Sequence, residues 1–200
     1  FEVLPVQHNR YIVTGLHKHN RFTILDGNGK KVGDFGEYPY RDEEERKVDG
    51  FVLGDVYQGK LAASPRRNRF VQAIYKARIL TFYEQSGEHW NLVKEIQESF
   101  PKYKYNSPAI ETDTPVGYLD VCTTEKYVYV LYSGKNYRDD KEAAFSGYTI
   151  EVYGWDGTLQ KRYLSDVPLK AIEVSKDDGS LYAIAYHPDP VLVKFTLFGQ

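Results

Sequence analysis

Apolar residues alternate with polar ones in short runs along this chain, and clusters of Gly, Asn, Asp, Ser and Pro separate the runs. This is the pattern of β-strands joined by turns. Phe1 to Val6 alternates, Arg10 to Leu16 and Arg21 to Leu25 are β-rich, and Asp26-Gly27-Asn28-Gly29 signals a hairpin. The turn returns Lys30 to Phe35 as a polar, glycine-containing edge strand. The same order recurs from Gly59. Lys60 to Ser64, a Pro65 to Asn68 turn, Arg69 to Tyr75, a short Lys76-Ala77-Arg78 link, Ile79 to Glu84, a Gln85-Ser86-Gly87 turn and His89 to Ile96 follow one another. Gly117 to Leu164 holds the best-formed copy. Within it, Lys126 to Tyr132 is apolar on both faces, with Tyr127, Tyr129 and Leu131 on one side and Val128, Val130 and Tyr132 on the other. Such a strand belongs to a sheet covered twice. A last copy, Lys170 to Ser175, Leu181 to Tyr186 and Val191 to Leu197, stops one strand short.

Four-stranded antiparallel units covered on both faces predict an all-β fold, a β-propeller with about four blades over residues 1–40, 55–100, 116–166 and 168–200 of one domain. The turns Asn28-Gly29, Ser86-Gly87 and Asp156-Gly157 mark the repeat at irregular intervals, longer than the ~40–50 residues of compact propeller repeats. A β-sandwich of similar hairpins is the rival. Two long connections interrupt the units. Gly36 to Tyr57 carries the charge run Arg41 to Lys47 and a short helix around Glu43 to Val48. In Gln97 to Pro115, the prolines Pro101, Pro108 and Pro115 exclude a long helix or a central strand.

Composition adds weight to the strands: aromatic residues make up 15% of the chain, tyrosine foremost, and suit a sheet that needs apolar rings with polar ends. The net charge of −2 gives no field to attract nucleic acid or an acidic membrane. No apolar run approaches the ~20 residues of a transmembrane helix. The single cysteine, Cys122, alternates into the core of its strand and reads as a small buried side chain. The chain opens at Phe1 within a strand and contains no methionine, so a processed product or a fragment is expected.

Catalytic motifs are scarce. No G-x-S-x-G turn, phosphate-binding lysine loop, G-x-G-x-x-G or H-E-x-x-H occurs. Asp26, Asn28, Asp34 and Glu37 mimic a calcium-loop spacing, but Lys30 and Lys31 stand where a ligand and the turning glycine belong. His17 and His19 have the spacing of a metal pair without a third ligand, so neither metal nor cofactor is expected. Propeller topology supplies the stronger constellation, because the links between second and third strands and the connections between blades open on one face, where ligands commonly bind. Those links carry His17, Lys18 and His19; Lys76 and Arg78; Lys135, Asn136, Tyr137 and Arg138; and His187 with Asp189. His17, His19, Arg78, Lys135, Tyr137, Arg138 and His187 form the candidate ligand-binding rim, suited to an anionic or sugar-like ligand.

Three stretches, LAASPRRNRFVQAIY (Leu61 to Tyr75), GYLDVCTTEKYVYVLYSGK (Gly117 to Lys135) with IEVYGWDG (Ile150 to Gly157), and LKAIEVSKDDGSLYAIAY (Leu169 to Tyr186), resemble the TolB-like six-bladed propeller family of exported proteins from Bacteroides-type bacteria. The resemblance implies six blades in the whole protein, a cell-envelope location by lipid anchoring in many members, and no established reaction. The expectation is a non-enzymatic binding or protein-interaction propeller whose partner is an unknown protein or carbohydrate. The alternative is a propeller hydrolase or lyase acting on sugars or lactones, with Asp139, Asp140, His17 or His187 as acid and base. A structural domain of a larger secretion assembly is a third reading.

Overall fold

The computed structural model describes residues 1–15, 20–186 and 188–197. Its strands are β1 (Val3–Val6), β2 (Arg10–Thr14), β3 (Phe22–Leu25), β4 (Lys31–Phe35), β5 (Gly59–Ala63), β6 (Arg69–Ile74), β7 (Ile79–Ser86) and β8 (His89–Gln97). They continue as β9 (Tyr118–Thr123), β10 (Tyr127–Tyr132), β11 (Gly147–Gly154), β12 (Leu159–Val174), β13 (Ser180–Tyr186) and β14 (Pro190–Thr196). Every pairing is antiparallel. β1 to β4 form one four-stranded meander and β5 to β8 a second, while β9 to β14 form a six-stranded sheet. First strands lie side by side, β5 between β1 and β9, with β12 beside β9. β4 and β8 carry the exposed positions expected of outer strands.

The sequence divides Leu159–Leu164 from Lys170–Ser175, yet these runs belong to one strand, β12, of 16 residues. Its first half pairs with β11 and its second half with β13. Register shifts between Gly147 and Thr149 and between Leu169 and Ala171 mark the passage from one partner to the other. The exposed Leu164 and the residues around Pro168 sit on that passage, where a sheet bends without ending.

Stacking of the sheets accounts for the two-faced strands. In β10, Tyr129 and Leu131 join a core with Leu169, Ile172 and Leu181, whereas Val128 and Val130 join a core with Val71, Leu80 and Phe82. In β6, Val71 enters that second core while its neighbour Phe70 enters a third, with Ile12 and Phe22. This third core is aromatic: Phe70 stacks on Tyr83 at 4.9 Å between ring centroids and meets Phe22 edge-on at 5.4 Å. Such pairs add roughly 0.5–1.5 kcal/mol each beyond area burial. Cys122 is buried in the first core, and burial pushes its thiol pKa up.

Each joint between sheets also holds a buried polar clasp. Arg21 donates from Nη1 to Thr81 at 3.1 Å and Glu95 at 3.2 Å. Arg78 donates to the buried Glu151 at 2.5 Å, and Tyr153 donates to the same carboxylate at 2.9 Å. Within the six-stranded sheet, Tyr129 donates to Asp178 at 2.9 Å. A buried charge requires such partners, so these residues fix which sheet faces which.

The two long connections pack together as a fourth core, with Tyr38, Leu53, Val56, Tyr57 and Tyr103 against Ile74 and Ile79. The expected short helix is a 3-10 turn, Glu45–Lys47. Beyond it α1 (Gly50–Val56) is a two-turn helix that the sequence pattern does not announce, started by the Asp49 side chain accepting from the Phe51 amide. Glu45 is fully buried and accepts from Tyr57 at 2.8 Å, Tyr103 at 2.6 Å and the Arg41 amide at 2.5 Å. It ties one connection to the other.

Candidate functional site

The links after β6 and β10 are sewn to the connections by backbone hydrogen bonds. Tyr75 N donates to Gln58 O at 2.9 Å, Gly117 N to Tyr75 O at 2.7 Å, and Ser133 N to Gly117 O at 3.0 Å. Val116 N donates to Lys135 O at 2.7 Å, and Arg138 N to Thr112 O at 2.9 Å. Gly117 permits this closeness, because a Cβ there would lie 1.8 Å from Ala77 O. The links after β6 and β10 and the two connections therefore lie against one another on one face.

A cavity of about 320 Å³ opens on this face beneath α1, lined among others by Glu2, Arg21, Tyr38, Lys60, Gln72 and Tyr75. Its members come from the start of the chain, β3, the first connection, β5 and β6. Lys60 and Glu2 form an ion pair at 3.1 Å across β5 and β1. Burial pushes the Tyr38 hydroxyl up to about 12, against the pull of Arg21, and burial raises Tyr75 as well. Both tyrosines stay neutral donors at physiological pH.

Two polar groups at this cavity lack partners. Arg21 is buried and holds its Nη1 bonds, but its Nε and Nη2 have none. Gln72 is buried in the otherwise apolar interior of β6, and its Oε1 has none. Buried polar atoms are nearly always satisfied. Arg69, Arg78, Gln85 and Asp113 also carry such an atom among the described residues, but Arg21 and Gln72 are the two that line this cavity.

Of the sequence-predicted rim, Arg78 lies on the link after β6, and Lys135, Tyr137 and Arg138 lie after β10. His17, His19 and His187 lie outside the described residues. Arg78 is engaged between Glu151 and Glu98, both at 2.5 Å, and stacks on Tyr132 at 4.7 Å. Although burial opposes its charge, Glu151 raises its pKa above the usual guanidinium value. Lys135 lies over the Tyr148 ring at 5.0 Å. The residues after β10 form α2 (Tyr137–Asp140) and a 3-10 turn, Lys141–Phe145. Tyr137 packs against Phe145 there and remains 41% exposed. Arg138 pairs with Asp113 at 3.2 Å, whose carboxyl is held below the ordinary range by Lys102 first and by Arg138.

Lys135, Tyr137 and Arg138 thus share the segment after β10, and Arg78 sits in the joint with Glu151. Asp139 and Asp140 are occupied with Asn136: its side chain accepts from the Asp139 amide at 3.0 Å, and Asp140 accepts from the Asn136 amide at 3.1 Å. Sequence reasoning missed the cavity residues. For Gln72 the one signal is polarity inside a two-faced apolar strand, RFVQAI.

Among the described residues no cluster of three or more His, Cys, Asp or Glu side chains has the arrangement of a metal site. No helix there is long and apolar enough to cross a membrane.

Stacked antiparallel meanders with their first strands side by side define the class of β-propeller proteins. Among solved structures, the β-propeller domain of Myceliophteria thermophila Cps50 (Swd1) is similar with a TM-score of 0.57 at 9% identity, over 98% of this chain and 52% of that one. The chain spans about half the length of that domain, and the likeness is one of fold. Residues 1–177 match the family described as TolB-like 6-blade propeller-like, and the chain belongs to this family. No curated protein matches it in sequence.

Proposed function

We propose that this chain is part of a non-enzymatic binding or protein-interaction propeller, which takes its ligand on the face built by the links and connections. The observation that carries the reading is the cavity under α1, with Arg21 and Gln72 on its wall, each holding buried polar atoms without a partner. Ligand sites favour such concave places, with a few convergent polar groups among aromatic walls. The described members of the rim named from sequence, Arg78, Lys135, Tyr137 and Arg138, flank the approach in this reading. Exposed Tyr137 offers a ring for an apolar sugar face, and Lys135 and Arg138 offer charge. The whole protein in this proposal is a six-bladed ring exported to the bacterial cell envelope, an extension supported by the family and by the sequence stretches that carry its resemblance.

A glycan array and an envelope extract, probed with the full-length protein, test the reading. Joint substitution of Lys135, Tyr137 and Arg138 by alanine is expected to weaken capture of the selected ligand at least about tenfold, equivalent to roughly 1.4 kcal/mol. Unchanged capture removes these residues from the site. Fractionation of cells producing the full-length protein tests the location, and a cytoplasmic product refutes it.

A further inference from the structure

We infer that the cavity beneath α1 binds a small hydroxylated carboxylate of hexuronic-acid size, with Arg21 taking the carboxylate and Gln72 a hydroxyl. The inference rests on the proposal that ligands dock on this face and names the chemistry of one of them.

Arg21 gives the first reason. A guanidinium presents its donors as planar forks, and two neighbouring N–H groups along one edge match the two oxygens of a carboxylate. Nη1 is held by Thr81 and Glu95, which fixes the plane of the group. Nε and Nη2 form the remaining side edge, and neither has a partner. The clasp thus fixes the plane of a guanidinium at the cavity wall whose remaining edge is unpartnered and closed to solvent.

Gln72 gives the second. Its unpartnered Oε1 is an acceptor, and an acceptor beside a carboxylate fork calls for a hydroxyl or amide donor on the same ligand. Tyr38 and Tyr75 add aromatic rings to the lining, suited to the C–H face of a sugar ring. A volume of about 320 Å³ admits one such ring.

Charge sets the upper limit. Glu95 already answers Arg21, Glu2 answers Lys60, and Asp55 also lines the cavity. This lining disfavours a polyanion such as a phosphate ester, and leaves the single charge of a carboxylate to be recognised by geometry. The open edge of Arg21 is closed to solvent in the free protein, so binding includes a small side-chain adjustment at the wall.

Titration of the protein with D-galacturonate and D-glucuronate, against D-galactose and D-glucose as neutral counterparts, tests the inference. At least one acid is expected to bind at least tenfold more tightly than its neutral counterpart and to shift the Arg21 Nε–H resonance at saturation. Arg21→Lys is expected to lose at least tenfold, because an ammonium has no planar edge, and Gln72→Leu several-fold. The resonance is read on the unsubstituted protein, so a variant that fails to fold does not obscure the answer. Acids that bind no better than neutral sugars, or that saturate without moving the Arg21 signal, overturn the inference. If acids fail while a screened ligand remains sensitive to the joint Lys135, Tyr137 and Arg138 substitution, this inference falls and the binding face stands. If both fail, the face itself is refuted.

Discussion

Glu45 is the residue on which the cavity roof depends, and Glu45→Ala is a quantitative test of that dependence. The carboxylate is buried at the joint of two connections and accepts from the hydroxyls of Tyr57 and Tyr103. Tyr57 closes α1 as its C-cap residue and lines the cavity. Removing the acceptor leaves both hydroxyls buried and unpaired. Hydrogen bonds to a charged group contribute about 1.5–3 kcal/mol each, and losing two of them is partly offset because a buried charge disappears. The expected net loss is about 2–4 kcal/mol. Glu45→Gln keeps the shape and one acceptor but turns an amide donor toward a hydroxyl, for a loss of about 1–2 kcal/mol. Urea unfolding gives the total, and hydrogen exchange in α1 gives the local part, which is expected to accelerate. Glu44→Ala is the control, since that residue is exposed and pairs only with Lys47. A loss below about 1 kcal/mol for Glu45→Ala, or one equal to the control, refutes the account.

Three further outcomes are expected. Val130→Asp places an unpaired charge at a fully buried position between two sheets and costs about 4 kcal/mol or more; soluble yield and circular dichroism check it, and a native-like melt contradicts it. Gly117→Ala drives a methyl into Ala77 O, with an expected cost of about 2–4 kcal/mol; an unchanged melting temperature means that the link yields freely. Alkaline pH is expected to unfold the protein. Burial raises Tyr38 and Tyr153 from 10.0 to about 12, so the folded state holds protons that the unfolded chain releases. Their stabilisation is complete below about pH 10 and is lost as pH rises through about 12. Melting temperatures across that window, with tyrosinate absorbance, follow it, and flat stability through pH 12 denies it.

The strands were legible because burial on both faces leaves a local trace. Tyr129 and Val130 are neighbours in sequence, both apolar, and each enters a different core. Hairpin chemistry was equally local: Gly29 takes φ 79° and donates to Asp26 O, as the Asp26-Gly27-Asn28-Gly29 turn requires. α1 was not legible, since GFVLGDV has the composition of a strand or a loop. Its helix exists because Leu53 and Val56 find Tyr38 and Ile79 to pack on, and a short helix is stabilised mainly by such packing.

The segments that carry the candidate rim were legible as links. Topology indicated which links share a face, and backbone bonds such as Gly117 N to Tyr75 O join them. What each cation does there was not legible: Arg78 carries its charge into a joint toward Glu151, while Tyr137 stands exposed. A charge in a loop looks the same in sequence whether its partner is water or a carboxylate 73 residues away.

By itself, the sequence determined the all-β class, the order of the hairpins and the two-sided burial of their strands, because period, turn chemistry and apolar content act over a few neighbouring residues. Only the tertiary structure decided that β12 joins β11 to β13 in one six-stranded sheet, that Arg21 and Gln72 meet at one cavity, and that Glu45 ties the connection above it to its neighbour. Those outcomes depend on contacts between residues far apart in the chain, such as Arg21 with Thr81 and Glu45 with Tyr103. A polar residue carries no local mark of its partner, so its role exists only once the sheets have stacked.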